Sequence, residues 1–279
     1  MHLLMILLGI GVAWLLRQSG VPETGNWQDR WQQALKQFAL PPLVLFMTAI
    51  AVVCMDRQGW MVFGAEGWLY VWISVGYLVA IALLLLHLSW QSHQLHRRLL
   101  DHYALHKTQG QPYRLLQTPL LYIAQIGLWR PQLVISQGLL NALDAEHLAA
   151  VLLHEQAHCH YHDTFWFFWL GWLRRCTRWL PHTEALWQEL LLLREMRADR
   201  WAAAQTDPLL LAEALVQVVR SPVDFPAEFA AAFGDDERNR LTERIDAMLA
   251  DEPIAEATQQ SYIWLLWGLL PLLLVPLHC

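Results

Sequence analysis

The sequence contains few charged residues. Only 16% of its 279 residues are charged, whereas 56% are hydrophobic and the mean hydropathy is +0.26. An average soluble domain carries about 25% charged residues, so this composition argues against an ordinary cytosolic globular protein. It also excludes a disordered chain, because disorder requires low hydrophobicity and high charge. The apolar excess predicts that part of the chain lies in lipid.

The chain also lacks basic runs and closely spaced cysteine pairs. It has no long stretch of Lys or Arg and its net charge is −6, which argues against a nucleic-acid-binding surface. The 4 cysteines show no CxxC spacing, so we predict free thiols rather than a disulfide framework. Tryptophan, by contrast, occurs 16 times, and this residue favours the interface between membrane and water.

Four apolar runs predict membrane-spanning helices. The runs cover about residues 3–16, 38–55, 68–88 and 262–277. The third is long enough to cross about 30 Å of hydrocarbon as a helix. The first ends at Arg17, whose side chain is expected to reach the interface, and it is interpreted as a retained anchor because it lacks a basic start. The predicted organisation is three transmembrane helices in residues 1–90, a domain in residues 91–260 and a fourth transmembrane helix in residues 261–279.

The distribution of basic residues predicts the orientation in the membrane. Arg97, Arg98, Lys107 and Arg114 follow the third run, and further arginines precede the fourth. Positive charge favours the cytoplasmic side, so we expect residues 91–260 in the cytoplasm and both termini outside, in a multi-pass protein of the cell (inner) membrane. Phe165–Leu173 is too short for another span. We interpret it as a helix face packed on the core or on the lipid surface.

Residues 91–260 are predicted to contain both helices and short strands. Residues 91–118 are polar and are predicted to extend the third helix into a loop. Two strands are expected within residues 120–126 and 133–135, joined by a turn. Helices are then predicted from Ala145 with Asp144 as the N-cap, over 183–204, from Asp207–Pro208 to Val219 and over 240–249, with a loop over 221–239.

A His-Glu-x-x-His motif, His154 to His158, carries the most chemical information. Four residues make just over one helical turn, so both imidazoles project from the same face and can bind one metal ion. Two neutral imidazoles suit zinc and leave its tetrahedron incomplete. Glu155 lies beside that face, where it can take a proton from metal-bound water and deliver it to a leaving amine. The alternative is two histidines at the edge of the core with a solvated glutamate.

Glu195 and Asp199 supply the rest of a metal site. They are four residues apart on a predicted helix and therefore share a face. If that helix packs against the first, Glu195 completes a His₂Glu ligand set and leaves the fourth position for water. Asp199 would then accept a hydrogen bond from a ligand histidine. The alternative is two solvated carboxylates among Arg194, Arg197 and Arg200.

These motifs resemble those of the membrane-embedded gluzincin metallopeptidases. The resemblance rests on the runs Ser136–Asp144 and His147–Glu155, and on Glu195 and Asp199 followed by Trp201-Ala-Ala-Ala. Thr118-Pro119, Gly127, Pro131 and the order of spans make the BlaR/MecR sensor–transducer peptidases the most similar family, with the HtpX/CaaX-protease family second. Asp163 resembles a position that is often acidic in the first family, and Arg244-Ile245 resembles its closing helix motif. The sequence ends at Cys279, where that family continues into an extracellular penicillin-binding domain, so beta-lactam sensing by that route is not expected.

The resemblance implies a fold, a cofactor and an activity. The fold would be a mainly α integral membrane protein with a cytoplasmic α+β zincin-like domain inserted between the third and fourth transmembrane helices. One Zn²⁺ per chain would be bound by His154, His158 and Glu195. Residues 131–136, including Leu133, Val134 and Ile135, would form an edge strand on which an extended peptide pairs; the alternative is an ordinary hairpin covering the core.

The expected activity is that of a zinc endopeptidase bound to the lipid bilayer. Its substrate would be a cytoplasmic or membrane-proximal protein, such as a transcriptional repressor, and a membrane partner could supply the signal; no nucleic-acid partner is expected. Two alternatives stay open at this point. One is an HtpX-like quality-control protease acting on membrane proteins, and the other is a non-catalytic membrane scaffold that binds metal.

Overall fold

The chain folds into two compact units. The computed structural model describes residues 2–21, 26–56, 65–108, 110–220, 237–249 and 262–278. The first unit comprises Met1–Ser89, Trp169–Leu191 and Ala255–Cys279, and the second comprises Trp90–Phe168 and Leu192–Ile254. Three helices, α3, α6 and α7, contribute residues to both units. Cys54, Cys159 and Cys176 are free thiols, as predicted, and Cys279 lies outside the described residues.

The helices account for most of the described residues. They are α1 (His2–Arg17), α2 (Trp27–Asp56), α3 (Ala65–His102), α4 (Gln137–Ala142), α5 (Ala145–His160), α6 (Asp163–Cys176), α7 (Thr183–Ala203), α8 (Pro208–Arg220), α9 (Glu237–Leu249) and a C-terminal 3₁₀ helix (Ile263–His278). The strands are β1 (Leu105–Thr108), β2 (Gln111–Leu116), β3 (Ile123–Ile126) and β4 (Gln132–Ser136). The chain is therefore mainly helical, with one small sheet.

The first unit contains two helices that are long and apolar enough to cross a membrane. They lie within Trp27–Met55 and Trp68–His102; the apolar window of the first is 72% buried in the protein, and that of the second only 11%. The spans predicted at 38–55 and 68–88 fall within these two helices. Those predicted at 3–16 and 262–277 fall in α1 and the 3₁₀ helix, which are apolar but have 16 residues each.

Arg17 closes α1 inside the protein. Its guanidinium donates to Thr183 Oγ1 at 3.0 Å and to the Phe38 carbonyl at 2.9 Å, and the residue is fully buried. The expectation that this side chain extends to the interface is therefore wrong, because hydroxyl and carbonyl oxygens of the same unit accept from its terminal NH groups.

The sheet belongs to the second unit and has the order β1-β2-β4-β3. The hairpins β1–β2 and β3–β4 are antiparallel, whereas β2 and β4 pair in parallel. The two predicted strands are confirmed as β3 and β4. Two more were missed within residues 91–118, since β1 and β2 carry many polar side chains and resemble a loop in sequence.

β4 lies in the interior of the sheet, between β2 and β3. Leu133, Val134 and Ile135 are 6%, 1% and 0% exposed. The expectation that residues 131–136 form an edge strand for a peptide is therefore wrong. The backbone groups of β4 that do not pair with β3 pair in parallel with β2 instead, and the side chains of β4 fill the core.

The helix α5 begins at the predicted N-cap and packs on this sheet. Asp144 caps α5, its carboxylate accepting from the backbone N–H groups of Glu146 at 3.1 Å and His147 at 2.9 Å. One face of α5 enters the core with β4 and part of α8 through Leu148, Val151 and Leu152. A second core joins α5, α8 and α9. α9 begins at Glu237, so the predicted loop is shorter there, and residues 221–236 of that loop lie outside the described residues.

Ser136 ties three segments of the second unit together. Its hydroxyl oxygen accepts from the N–H groups of Leu139 at 3.1 Å and Tyr122 at 3.0 Å, and it donates to the Leu120 carbonyl at 2.6 Å. Ser136→Ala removes the N-cap of α4 and leaves the backbone groups of Leu139, Tyr122 and Leu120 without the hydroxyl as hydrogen-bond partner. We expect it to lower the free energy of unfolding by about 1–3 kcal/mol, measured by denaturant titration of the full chain.

The neighbouring Gln137 provides the control. Its amide donates to the exposed Asn141 at 2.9 Å, so Gln137→Ala should change stability by less than about 0.5 kcal/mol. Equal stability of the two variants would contradict a structural role for the Ser136 hydroxyl.

Candidate metal centre

His154, His158 and Glu195 converge on one point between α5 and α7. Each offers one ligand atom, and these atoms lie within 4.8 Å of one another. His154 Nε2 is 3.2 Å from His158 Nε2 and 3.3 Å from a Glu195 oxygen, and His158 Nε2 is 3.7 Å from the other Glu195 oxygen. Donors bound at about 2.1 Å around a tetrahedral ion are roughly 3.4 Å apart. The group could therefore hold a metal ion.

The burial of these side chains argues against both alternatives considered from the sequence. Glu155 is only 6% exposed and Asp199 only 1%, so neither is a solvated carboxylate. His154, at 5% exposed, lies with its ring among carboxylates rather than at an apolar core edge.

Each histidine of the group contacts a second carboxylate through its other ring nitrogen. His154 Nδ1 lies 2.9 Å from Asp199, and His158 Nδ1 lies 2.8 Å from Asp163. Such contacts fix the tautomer and orientation of a metal-binding imidazole. The placement of Asp199 agrees with the role predicted for it. Asp163, singled out only by resemblance, takes the equivalent place beside His158.

Arginines donate hydrogen bonds to the two outer carboxylates, Asp199 and Asp163, which contact the histidines. Arg244 of α9 donates to both oxygens of Asp199, at 2.7 and 2.9 Å, and Arg197 donates to Asp163. Arg194 donates to Glu195 at 2.6 and 2.9 Å. From the sequence, Arg194 and Arg197 enter only the alternative interpretation, as neighbours of solvated carboxylates, and Arg244 is assigned no contact. No spacing rule connects α9 with a helix 45 residues earlier.

The electrostatics of the centre favour bound cations. Burial by itself would lower the pKa of His154, but the contacts with Asp199 and Glu195 raise it to about 10. Burial would raise the pKa of Glu195, but Arg194 and His158 hold it well below its usual range. Glu195 is therefore ionised at neutral pH and attracts positive charge to the imidazoles. A metal ion that takes the place of the imidazole protons releases them on binding.

Glu155 follows His154 on α5 and is buried, and its charge acts on Tyr122. Burial, together with the negative charge of Glu155, raises the pKa of Tyr122 to about 12. The phenol is thus protonated at neutral pH and can donate a hydrogen bond. Sequence reasoning missed Tyr122, because a tyrosine beside an apolar strand is indistinguishable from a core residue in the sequence.

β3 is an edge strand of the described sheet, with β4 on one side. The carbonyl of Tyr122 accepts from Ser136 N at 2.9 Å, so residues 122 and 124 direct their backbone groups towards β4. Alternation in an antiparallel pair then turns the N–H and C=O groups of Ile123 and Gln125 away from β4. The helix that carries the two histidines, α5, packs against this strand.

No family model matches the chain, and neither a curated protein nor a solved structure matches it. What the centre can do is therefore judged from its own geometry: two imidazoles and a carboxylate able to hold one ion, with a buried glutamate, Glu155, next to His154 in α5.

Proposed function

We propose that the protein is a membrane-bound zinc endopeptidase of the gluzincin type, most similar to the BlaR/MecR sensor–transducer peptidases. The observation that carries the proposal is the convergence of His154, His158 and Glu195 at ligand-to-ligand distances of 3.2–3.7 Å, beside a buried Glu155. A scaffold without activity would not require that buried carboxylate, since it is not part of the ligand group.

The donor set fits zinc. Two imidazole nitrogens and one carboxylate oxygen are the ligands of many catalytic zinc sites, which keep a fourth position open. Zinc, when bound, supplies a Lewis acid and lowers the pKa of water in the site. The outer carboxylates Asp199 and Asp163 keep the imidazoles oriented towards the ion.

The remaining chemistry belongs to residues of the chain. Glu155 accepts the proton of the attacking water and delivers it to the amine that leaves. Tyr122, protonated at neutral pH, donates a hydrogen bond to the oxygen on which negative charge develops. The edge of β3, at Ile123 and Gln125, pairs with an extended peptide and presents its scissile carbonyl. This assignment replaces β4, which the sheet buries.

The proposed setting is the cell membrane. Residues 1–90 would form three transmembrane helices, residues 91–260 the cytoplasmic catalytic domain and residues 261–279 a fourth transmembrane helix. The two long apolar helices support this arrangement. The substrate would be a cytoplasmic or membrane-proximal protein, such as a transcriptional repressor, with a membrane partner supplying the signal.

Metal analysis of the full chain in detergent tests the proposal. We expect one zinc per chain, loss of cleavage on chelation and recovery on adding zinc. His158→Ala and Glu195→Gln should each abolish stoichiometric binding, because two protein ligands rarely retain zinc. Wild-type protein that binds no zinc, or that cleaves equally well after chelation, would contradict the proposal. Cleavage of denatured membrane proteins without selectivity would favour the quality-control alternative over a dedicated regulator.

A further inference from the structure

A groove runs along the first unit between α1, α2 and the C-terminal 3₁₀ helix. Its volume is about 500 Å³. Leu8 of α1 and Leu270 and Leu273 of the 3₁₀ helix line the groove and are exposed, so it opens at the surface of the unit. Thr48 also lines it, but its hydroxyl donates to the Val44 carbonyl at 2.8 Å. The walls therefore suit an apolar occupant that brings no hydrogen-bonding group.

The groove is long and narrow. Its lining residues on α1 extend from Met5 to Leu16, which is about 16 Å at 1.5 Å per residue. A volume of about 500 Å³ over that length leaves a cross-section of about 30 Å². A helix with its side chains is about 10–12 Å in diameter and is too broad to enter. One leaflet contributes about half of the roughly 30 Å of hydrocarbon in a bilayer, so a single lipid acyl chain matches the groove in length.

Contacts between α1 and α2 show how the two ends of the groove are arranged. Gly9 of α1 lies against the side chain of Thr48 of α2, and Ala13 belongs to the same core cluster as Leu45. Residue numbers rise along α1 as they fall along α2, so the two helices are antiparallel. The end of the groove at Leu16 is therefore the end nearest the N-terminal half of α2.

A lysine lies at this end. Lys36 precedes Leu40, a lining residue of α2, by one helical turn. Its Nζ lies 5.1 Å from the ring centroid of Trp267, which lines the groove from the 3₁₀ helix. In the ranges of the chain that the structure describes, Lys36 forms no ion pair. An ammonium group on an aromatic face keeps its N–H donors for other partners. The positive charge at the end of the apolar groove is therefore available to an anion.

We propose that the groove binds one acyl chain of an anionic glycerophospholipid, whose phosphate lies at Lys36. The hydrocarbon covers the apolar walls, and the phosphate accepts from the lysine ammonium. A zwitterionic lipid fits the walls equally well but brings a cation of its own. With the orientation predicted from the basic residues, Lys36 faces the cytoplasmic leaflet, where anionic lipids are concentrated. The inference rests on the proposed membrane-spanning arrangement of residues 1–90 and 261–279, and it is independent of the cleavage reaction.

Native mass spectrometry tests the proposal. The full chain is released from nanodiscs that contain equal amounts of phosphatidylglycerol and phosphatidylcholine with the same acyl chains. We expect one retained phosphatidylglycerol per chain. Lys36→Gln should lower the preference for phosphatidylglycerol by about fivefold, the contribution of one lysine near an anionic membrane surface. Val12→Phe enlarges a residue that lines the groove, so it should abolish the retention of either lipid.

Matched controls accompany these variants. Lys107→Gln makes the same chemical change at an exposed position of β1. Leu15→Phe adds a ring at an exposed position of α1, outside the described lining of the groove. Both should retain lipid as the wild-type chain does. Lys36→Arg keeps the charge and should keep the preference. Added phosphatidylglycerol should also raise the thermal unfolding midpoint of the wild-type and Lys36→Arg chains more than that of Lys36→Gln, because a ligand stabilises the folded state that binds it.

Two results would overturn the inference while the chain still resists extraction from membranes by carbonate. Wild-type protein that retains no lipid, or both lipids equally, would show that the lysine selects no anionic headgroup. A folded Val12→Phe variant that retains phosphatidylglycerol like Leu15→Phe would place the lipid elsewhere. Should Val12→Phe lose its circular dichroism spectrum, Lys36→Gln answers the question, since a preference equal to that of Lys107→Gln overturns the inference. Extraction of the wild-type chain by carbonate would overturn the proposed topology and the inference together.

Discussion

Glu155→Gln is expected to lower the rate of peptide cleavage by about 10²–10⁴-fold while leaving the metal content unchanged. The amide has the size of the carboxylate but cannot accept a proton from water. The proposed ligands His154, His158 and Glu195 are untouched by the change, so binding of zinc should persist. Cleavage is measured on a protein substrate with the full chain in detergent, and metal on the same samples.

Glu146→Gln is the matched control for this experiment. It makes the same chemical change on the same helix, but at an exposed position in the first turn of α5. It should retain wild-type cleavage and metal content. Full activity in Glu155→Gln would exclude the proposed proton transfer and favour a metal-binding scaffold, whereas joint loss of metal and activity would mean that Glu155 supports the structure of the centre.

The sequence predicted those parts of the centre that depend on local geometry. The spacing of His154 and His158, and that of Glu195 and Asp199, follows from 3.6 residues per helical turn. The capping of α5 by Asp144 is likewise a local matter. That α5 and α7 meet follows from no local rule and was inferred only because a metal site needs a third ligand.

The sheet shows where such reasoning fails. Strands β3 and β4 were recognisable from their apolar residues and the turn at Gly127. The parallel pairing of β2 with β4 is a non-local contact, and the polar strand β2 gives no sequence signal for it. This pairing alone decides that β4 lies in the interior and β3 at the edge, and it moves the proposed peptide-binding strand from Leu133–Ile135 to Ile123–Ile126.

The arginines around the centre illustrate a second limit. A sequence can show that Glu195 and Asp199 share a helix face, but the charge that compensates them comes from separate helices. Arg197 lies on the same helix as Asp199 yet bonds to Asp163 of α6, while Asp199 bonds to Arg244 of α9. The partners of buried charges are set by tertiary packing, which the pattern of residue types does not encode.

Arg244→Met is expected to have the largest effect on stability, lowering the free energy of unfolding by about 3–5 kcal/mol. Asp199 is 1% exposed, and Arg244 bonds to both of its oxygens. Removing the arginine leaves a buried carboxylate without its strongest partner, and burial of an unpaired charge is costly. The affinity for zinc should also fall by about 10–100-fold, since Asp199 orients His154. Denaturant titration and chelator competition on the full chain measure the two quantities.

A second variant separates charge balance from orientation of the ligand. Asp199→Asn combined with Arg244→Met removes both charges, so it should recover most of the lost stability but not the zinc affinity, because an amide holds the imidazole more weakly than a carboxylate. Arg98→Met, at an exposed position of α3, should change neither quantity. Arg244→Met could instead prove as stable as Arg98→Met, or the double change could restore zinc affinity together with stability. Either result would contradict the prediction, because α9 would then pack against the centre without helping to orient His154. Arg244 would then be dispensable for metal binding.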